Sequence, residues 1–375
     1  MKKIKILQFT IASTKGGKTR YTLRNWKFID KEKVQMDFIT FSKKLDFEQS
    51  LIDEGCRVWH ISCYPEENKE QFIKEFDNVL EQGYDIIHIN TSYWKDTIVE
   101  ERAKAKGIKK IIIHAHNTGC GTSLSKDEEN ATRKRHYEIR ERLTEDIATD
   151  YWACSKKAAE WLYGNRIRES LIKIVKVAID TSVFSYNVDI RNKVRKELEI
   201  EDKFVIGNVG RFVYQKNHLF LLTVFERILE IIPETVLILV GKGELKEEIE
   251  EQIKIRNLQE KVKIFESVAD ISEILQAMDI FALPSLFEGF PAVLVEAQTT
   301  GLSCVISDKV TREAQITSLA HYKPLDIDEW ISQIKDIYTE RASRKSMHLE
   351  VEAAGYGIQG QIKELENWYK EGLKQ

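Results

Sequence analysis

A chain of 375 residues exceeds what one hydrophobic core usually fills, so two domains of ordinary size are expected. With 42% hydrophobic and 31% charged residues it is neither disordered nor of low complexity, and 57 basic against 60 acidic residues, a net charge of −3, argue against nucleic acid as a partner. The cysteines, Cys56, Cys63, Cys120, Cys154 and Cys304, are odd in number and lack C-x-x-C spacing, no apolar run nears the roughly 18 to 20 residues of a membrane span, and Met1-Lys2-Lys3-Ile4 opens no signal peptide, so a cytoplasmic protein with reduced thiols and at most peripheral membrane contact is expected.

Short β-branched runs then alternate with charged amphipathic stretches from end to end, the pattern of parallel sheets covered by helices. In the first half the predicted strands are Ile4–Phe9, Gln35–Phe41, Val58–Ile61, Asp85–Asn90, Lys109–His114, Tyr151–Ala153 and Ile174–Val177. A charged segment, Asn187–Glu199, opens the second half, whose strands are Phe204–Val209, Val236–Val240, Val262–Phe265, Ile280–Leu283 and Leu302–Ile306, with helices at Leu219–Ile231 and Leu245–Ile255. The boundary is set near Asp180, giving domains at 1–180 and 181–355. The tail, 356–375, carries apolar residues at Ile362, Leu365, Trp368 and Tyr369 at helical spacing and is expected to close the chain as one amphipathic helix packed back on the first domain. Two doubly wound, Rossmann-like α/β domains follow, and ligands of such sheets bind beyond the carboxyl ends of the strands, here in a cleft between the two.

Two segments at strand ends carry the chemistry. The run Phe281-Ala-Leu-Pro-Ser-Leu-Phe-Glu-Gly-Phe-Pro-Ala-Val-Leu-Val-Glu296 passes from a buried strand through a loop into a helix that stops at Gly301. Pro291 suits the first helical position, Gly289 admits close backbone approach, and the helix start offers free N–H groups to a diphosphate. Glu288 and Glu296 could accept hydroxyl hydrogen bonds from a sugar and a ribose. Two glutamates eight positions apart are common in so charged a chain, and alone they read as solvated; the composite around them is what gives them weight. The second segment, Asn208-Val-Gly-Arg-Phe-Val-Tyr-Gln-Lys-Asn-His218, places Arg211 and Lys216 after a tight turn at Gly210, where they could neutralise a leaving nucleoside diphosphate. Val240-Gly-Lys-Gly-Glu244 is a third strand-end turn, in which the two glycines, Gly241 and Gly243, would let backbone approach a ligand.

Together these segments resemble the family 4 retaining glycosyltransferases of the GT-B fold, whose hallmark is two glutamates separated by seven residues with an upstream Gly-Arg and Lys. Ala153-Cys-Ser-Lys-Lys-Ala-Ala-Glu-Trp-Leu-Tyr-Gly164, Ala178-Ile-Asp-Thr-Ser-Val-Phe184 and His114-Ala-His-Asn-Thr118 look like the branch that builds bacterial capsular and exopolysaccharides. The resemblance implies that Arg211 and Lys216 bind the donor diphosphate, Glu288 the sugar, Glu296 the ribose, and the backbone of Gly289, Phe290 and Pro291 the sugar and phosphate. It implies catalysis without metal or other cofactor and with no protein nucleophile, the leaving phosphate helping to deprotonate the acceptor. A UDP-sugar carrying a hexose or N-acetylhexosamine is the expected donor, and a glycan or lipid-linked glycan hydroxyl the acceptor. A non-catalytic nucleotide-sugar binder, an epimerase and a pyridoxal-dependent phosphorylase are the alternatives.

Three further features are weighed. Gly16 and Gly17 follow the first strand where similar proteins approach the donor phosphates, but Thr19 stands where the family often has an acid; the string Lys15-Gly-Gly-Lys-Thr-Arg20 imitates a P-loop without its first glycine, since Ala12 stands there. His116 matches a family position near the reaction centre, and His114 shares its face; a structural, hydrogen-bonded role is the rival reading, while zinc binding with His88 or Cys120 has no ligand spacing behind it. The basic stretch Arg133–Arg142 could meet anionic lipid at the inner face of the cell membrane, or be a solvated helical face.

Overall fold

The computed structural model describes residues 3–13, 16–120, 126–268, 270–340 and 343–373, which form two compact units. One holds the chain through Val177 together with Ile358 onward, and the other spans Ala178–Gly357.

The first unit is an all-parallel sheet of β1 (Ile4–Phe9), β2 (Val34–Thr40), β3 (Val58–His60), β4 (Ile86–Thr91), β5 (Lys110–Ala115), β6 (Asp150–Ala153) and β7 (Ile172–Ile174), in the order β3-β2-β1-β4-β5-β6-β7. Helices α1 (Gly17–Phe28), α2 (Glu48–Asp53), α3 (Lys69–Leu80), α4 (Ile98–Ala105), α5 (Lys126–Arg140) and α6 (Lys156–Tyr163) each follow the strand of the same number. Ile111, Ile112 and Ile113 are all buried, because helices cover both sheet faces and an apolar residue is wanted on each. Where helices start, side chains take up the free N–H groups: Asn68 accepts from Gln71 N–H at 3.1 Å and Ser155 from Ala158 N–H at 3.1 Å.

In the second unit α7 (Val188–Glu197), capped by Asn187, precedes β8 (Phe204–Val209), α8 (His218–Ile231), β9 (Thr235–Val240), α9 (Lys246–Ile255), β10 (Val262–Phe265), α10 (Ile271–Ala277), β11 (Ile280–Leu283), α11 (Ala292–Thr299), β12 (Ser303–Ser307) and β13 (Ala320–Lys323). The sheet order is β10-β9-β8-β11-β12-β13, all parallel. Period-two alternation sends Val236, Ile238 and Val240 to one core and Leu237 and Leu239 to the other, with neighbouring strands doing the same. The strand β13 is absent from the sequence prediction: Ala-His-Tyr-Lys lacks a β-branched run, and it pairs only because β12 leaves an edge open. Helices α12 (Ile327–Glu340) and α13 (His348–Ala353) complete this unit, Trp330 of α12 being wholly buried.

The last helix, α14 (Ile358–Lys370), belongs to the first unit. The buried Lys110 on β5 reaches its end and donates to the carbonyls of Trp368, at 2.6 Å, and Glu371, at 2.9 Å, supplying the cation a helix C-terminus attracts.

Candidate functional site

In each sheet the strand order reverses at one place, between β1 and β4 in the first unit and between β8 and β11 in the second, the point at which open α/β sheets bind their ligands. In the second unit β8 and β11 are neighbours, so two loops far apart in sequence come together. Leu286 N–H donates to the Gln215 carbonyl at 2.8 Å, and the Gln215 amide donates back to the Phe287 carbonyl at 2.7 Å. Across this seam the Lys216 Nζ lies 2.5 Å from Glu288 Oε1, with side chains only 12% and 9% exposed. Ser285 Oγ donates to the same carboxylate oxygen at 2.8 Å. A partly desolvated ion pair of this kind positions both groups more than it stabilises the fold, since desolvation offsets much of the attraction.

Two residues at the end of β8 lead into the loop that carries Lys216. A Cβ at Gly210 would stand 3.0 Å from Lys216 Cε, so the bare glycine is where the lysine stem lies. Asn208, wholly buried, donates to the Ala282 carbonyl at 2.7 Å and faces His218 Nε2 at 3.1 Å. Burial drives His218 down to about 3, with Lys216 adding to the effect, so the ring is neutral and its Nε2–H donates to Asn208 Oδ1. Arg211 is exposed at the head of the loop.

Two expectations are sharpened. Gly241 and Gly243 are required by protein contact: a Cβ would lie 1.8 Å from the Gly210 carbonyl oxygen and 2.1 Å from that of Phe212. The loop after β9 is thus pressed on the loop after β8, and Phe212 N–H donates to the Lys242 carbonyl at 2.8 Å. Pro291 is the residue before the first turn of α11 rather than within it, with extended backbone (ψ 92°). Its ring still removes a donor that would have no partner. Phe290 stacks its ring on Tyr356 at 5.3 Å, and Gly289 before it is buried. Glu296 is the fifth residue of α11 and 3% exposed, and Gly301, at φ +73°, ends the run where a Cβ would meet the Lys345 carbonyl at 1.8 Å.

In the first unit Gly16 caps α1 and Gly17 begins it, and a Cβ on either meets nothing within 4 Å. Lys15 lies outside the described residues. Thr19, in place of the family acid, is buried and accepts Ala12 N–H at 3.0 Å, tying the β1–α1 loop together. At the ends of β4 and β5 a stack of polar side chains shares one sheet face. His88 Nε2 is 3.1 Å from His114 Nδ1, and His88 Nδ1 is 2.9 Å from the Tyr369 hydroxyl. The His114 and His116 rings are 4.0 Å apart, and His116 Nε2 is 2.8 Å from Asn90 Oδ1. Burial holds His88 near 3 and both other imidazoles well below the usual histidine range, Lys18 and His88 adding to the effect at His116 and the other two histidines at His114. His88 and His114 bond each other directly, which leaves no room for an ion between those nitrogens, and among the described residues no group of three or more His, Cys, Asp or Glu could hold a metal.

The stretch Arg133–Arg142 is divided. Arg133 pairs with Glu129 at 2.8 Å and covers the Trp161 ring, while Arg140 lies over Tyr137 and donates to the Trp161 carbonyl at 3.3 Å. Lys134, Arg135 and Arg142 are exposed. Among the described residues no helix is long and apolar enough to cross a membrane.

With this geometry in view, the family model described as glycosyl transferases group 1 matches residues 189–352. That stretch is a glycosyl transferases group 1 domain. The chain that carries this glycosyltransferase domain is 27% identical to the putative glycosyltransferase EpsF of Bacillus subtilis, over 97% of this chain and 96% of the relative. It is 25% identical to the UDP-Gal:alpha-D-GlcNAc-diphosphoundecaprenol alpha-1,3-galactosyltransferase of Escherichia coli, over 82% and 80%. Its fold is that of the crystal structure of Anabaena HepE in complex with UDP and glucose, with a TM-score of 0.79 at 18% identity over 98% and 100% of the two chains; this is the GT-B architecture.

The structure also brings to the strand ends residues that the sequence did not single out. Ser285 and Gln215 sat inside quoted segments, but only the adjacency of β8 and β11 aims them at Glu288 and at the Phe287 carbonyl. In the first unit Asn90 lies two positions beyond His88, a period-two spacing that was legible yet unread.

Proposed function

We propose that the chain is a retaining glycosyltransferase that moves a hexose or N-acetylhexosamine from a UDP-sugar to a hydroxyl of a glycan or lipid-linked glycan in surface polysaccharide assembly. The observation that carries this reading is the Lys216–Glu288 pair, set over Gly210 and beside the start of α11. In the reaction the bond from the anomeric carbon to the diphosphate oxygen breaks, the acceptor oxygen bonds that carbon from the same face, and the acceptor proton passes to the leaving phosphate. Negative charge grows on the diphosphate, and the Lys216 ammonium, the Arg211 guanidinium and the free N–H groups of α11 answer it; donors preorganised in this way are each worth about 10²–10³ in rate. Those groups carry the charge without a divalent cation. Glu288, oriented by Lys216 and Ser285, accepts sugar hydroxyls, and Glu296 the ribose. The first unit would bind the acceptor, with His116 at its strand end.

The UDP named in the E. coli relative and held in the HepE crystal supports the choice of base, and the diphosphoundecaprenol acceptor of the former supports a lipid-linked one. The exposed Lys134, Arg135 and Arg142 support peripheral contact with an anionic cytoplasmic membrane face.

A thermal-shift panel tests the reading. UDP and UDP-sugars should raise Tm above the effect of ADP or of ATP with magnesium, and chelation should leave the rise intact; a ligand at 100 times its Kd adds about 2.7 kcal/mol. A preference for ATP with magnesium would overturn it in favour of an NTPase. Lys216→Ala and Glu288→Ala should each abolish donor turnover while circular dichroism stays unchanged, and full activity in both would remove these residues from the site.

A further inference from the structure

The polar stack of the first unit holds more order than a set of buried histidines needs. Gln8 of β1, Asn90 of β4 and His116 beyond β5 stand on three adjacent strands and are linked in a line: Asn90 Nδ2 donates to Gln8 Oε1 at 3.0 Å, and His116 Nε2 meets Asn90 Oδ1 at 2.8 Å. The line has a direction. Gln8 Nε2 lies 3.9 Å from the Met36 sulfur, and a thioether can only accept; the Tyr369 hydroxyl, which can donate or accept, also bonds the Gln8 side chain. The amine end of Gln8 therefore faces Met36 and its oxygen faces Asn90. The Asn90 amine is then used on Gln8, and its oxygen is what His116 meets. An oxygen can only accept, so the proton must sit on His116 Nε2.

We propose that Gln8 and Asn90 are positioning residues that lock His116 in its Nε2–H tautomer, so that Nδ1 carries the lone pair and accepts a hydroxyl of the bound sugar substrate. The carbohydrate part of this assignment rests on the glycosyltransferase reading above; the tautomer does not. Burial first, then Lys18 from α1 and His88 from β4, favour a neutral imidazole, and the Tyr21 and His114 rings pack beside it, with no carboxylate among the groups that perturb it. Gln8 and Asn90 are each 3% exposed, so water competes little for their bonds.

The test is nitrogen-15 NMR of the histidine side chains in the full chain, paired with UDP release from a UDP-sugar. In the wild type the His116 shifts should report a protonated Nε2 and an unprotonated Nδ1, unchanged from pH 8 to pH 5.5. Asn90→Asp places a carboxylate against Nε2–H and should bring His116 into titration within that window, moving the acid limb of the kcat profile upward. Asn90→Leu removes the acceptor and should lower kcat about tenfold, one hydrogen bond's worth, with the donor KM held within twofold. A wild-type ring protonated on Nδ1, or an Asn90→Asp profile that coincides with the wild type, overturns the proposal. The wild-type spectrum decides the tautomer even where the variants fail to fold. If UDP-sugars are not turned over while Nε2 is found protonated, the failure lies with the proposed reaction and not with the lock.

Discussion

The two strand-end clusters occupy corresponding places in the two units, at the point where strand order reverses, yet they are built from opposite chemistry. In the second unit the cluster is ionic, Lys216 against Glu288 with Arg211 exposed beside them, and it sits on loops that backbone contacts at Gly210, Gly241 and Gly243 press together. In the first it is neutral, three imidazoles and two amides on the strands themselves, under Tyr21 and Tyr369. Burial accounts for the contrast. Deep on a sheet face a charge without a partner costs too much, so the imidazoles stay neutral and only hydrogen-bond direction can organise them. At a loop seam, where solvent is near, a cation and an anion can both survive and be aimed at a charged ligand.

That contrast can be broken at several points. The largest effect is expected at Gly241→Ala, whose Cβ would lie 1.8 Å from the Gly210 carbonyl oxygen. Because the obstacle is backbone, a loss of about 4 to 5 kcal/mol or failure to fold is expected in urea melts. A mild effect there would mean the loops are not pressed together as described.

The next effect probes the rule that a buried ionisable group of the first unit stays neutral where no opposite charge pairs with it. Glu100 on α4 is 4% exposed, and burial, with Asp96 and Glu101 nearby, pushes its carboxyl up to about 8. A folded pKa above the unfolded one means that its contribution is whole below pH ~4.5 and is lost as pH rises through about 8. Glu100→Gln should therefore flatten the fall in stability across that window, leaving the variant roughly 2 to 3 kcal/mol more stable than wild type at pH 8.5, and no more stable at pH 4, by urea unfolding. Parallel pH profiles would contradict the neutral-interior account.

Thr19→Val keeps the shape and removes the acceptor for Ala12 N–H, for an expected loss of about 1 kcal/mol. The smallest effect is predicted for Gly16→Ala. Its backbone (φ −63°, ψ 177°) suits any residue and a Cβ meets nothing, so stability should stay within about 0.5 kcal/mol. Set beside Gly241→Ala, it measures how differently two strand-end glycines are used: one makes a loop join possible, the other leaves room. A fall in donor or acceptor turnover in Gly16→Ala at unchanged stability would show that the room is for substrate.

Much of the fold was legible because it depends on local pattern. Strands such as Val236–Val240 are apolar on both faces since both are covered, and Gly301 ends a helix because its backbone has positive φ. The site was legible in identity more than in use. Glu288 and Lys216 could be named from their setting, but their pairing could not, because it spans 72 positions and arises from the adjacency of β8 and β11. The glycines after β9 show the same limit: small size is visible in a sequence, while the loop that requires it is not.

By itself, then, the amino-acid order determined two parallel α/β sheets, a closing amphipathic helix and the residue types gathered at strand ends, since periodicity, capping and chain punctuation are short-range matters. Tertiary structure alone decided which carboxylate meets which ammonium, which nitrogen of His116 keeps its proton and which backbone fills the space beside each glycine. Those depend on strand order and burial, and both arise only when distant segments are brought within a few ångströms of one another.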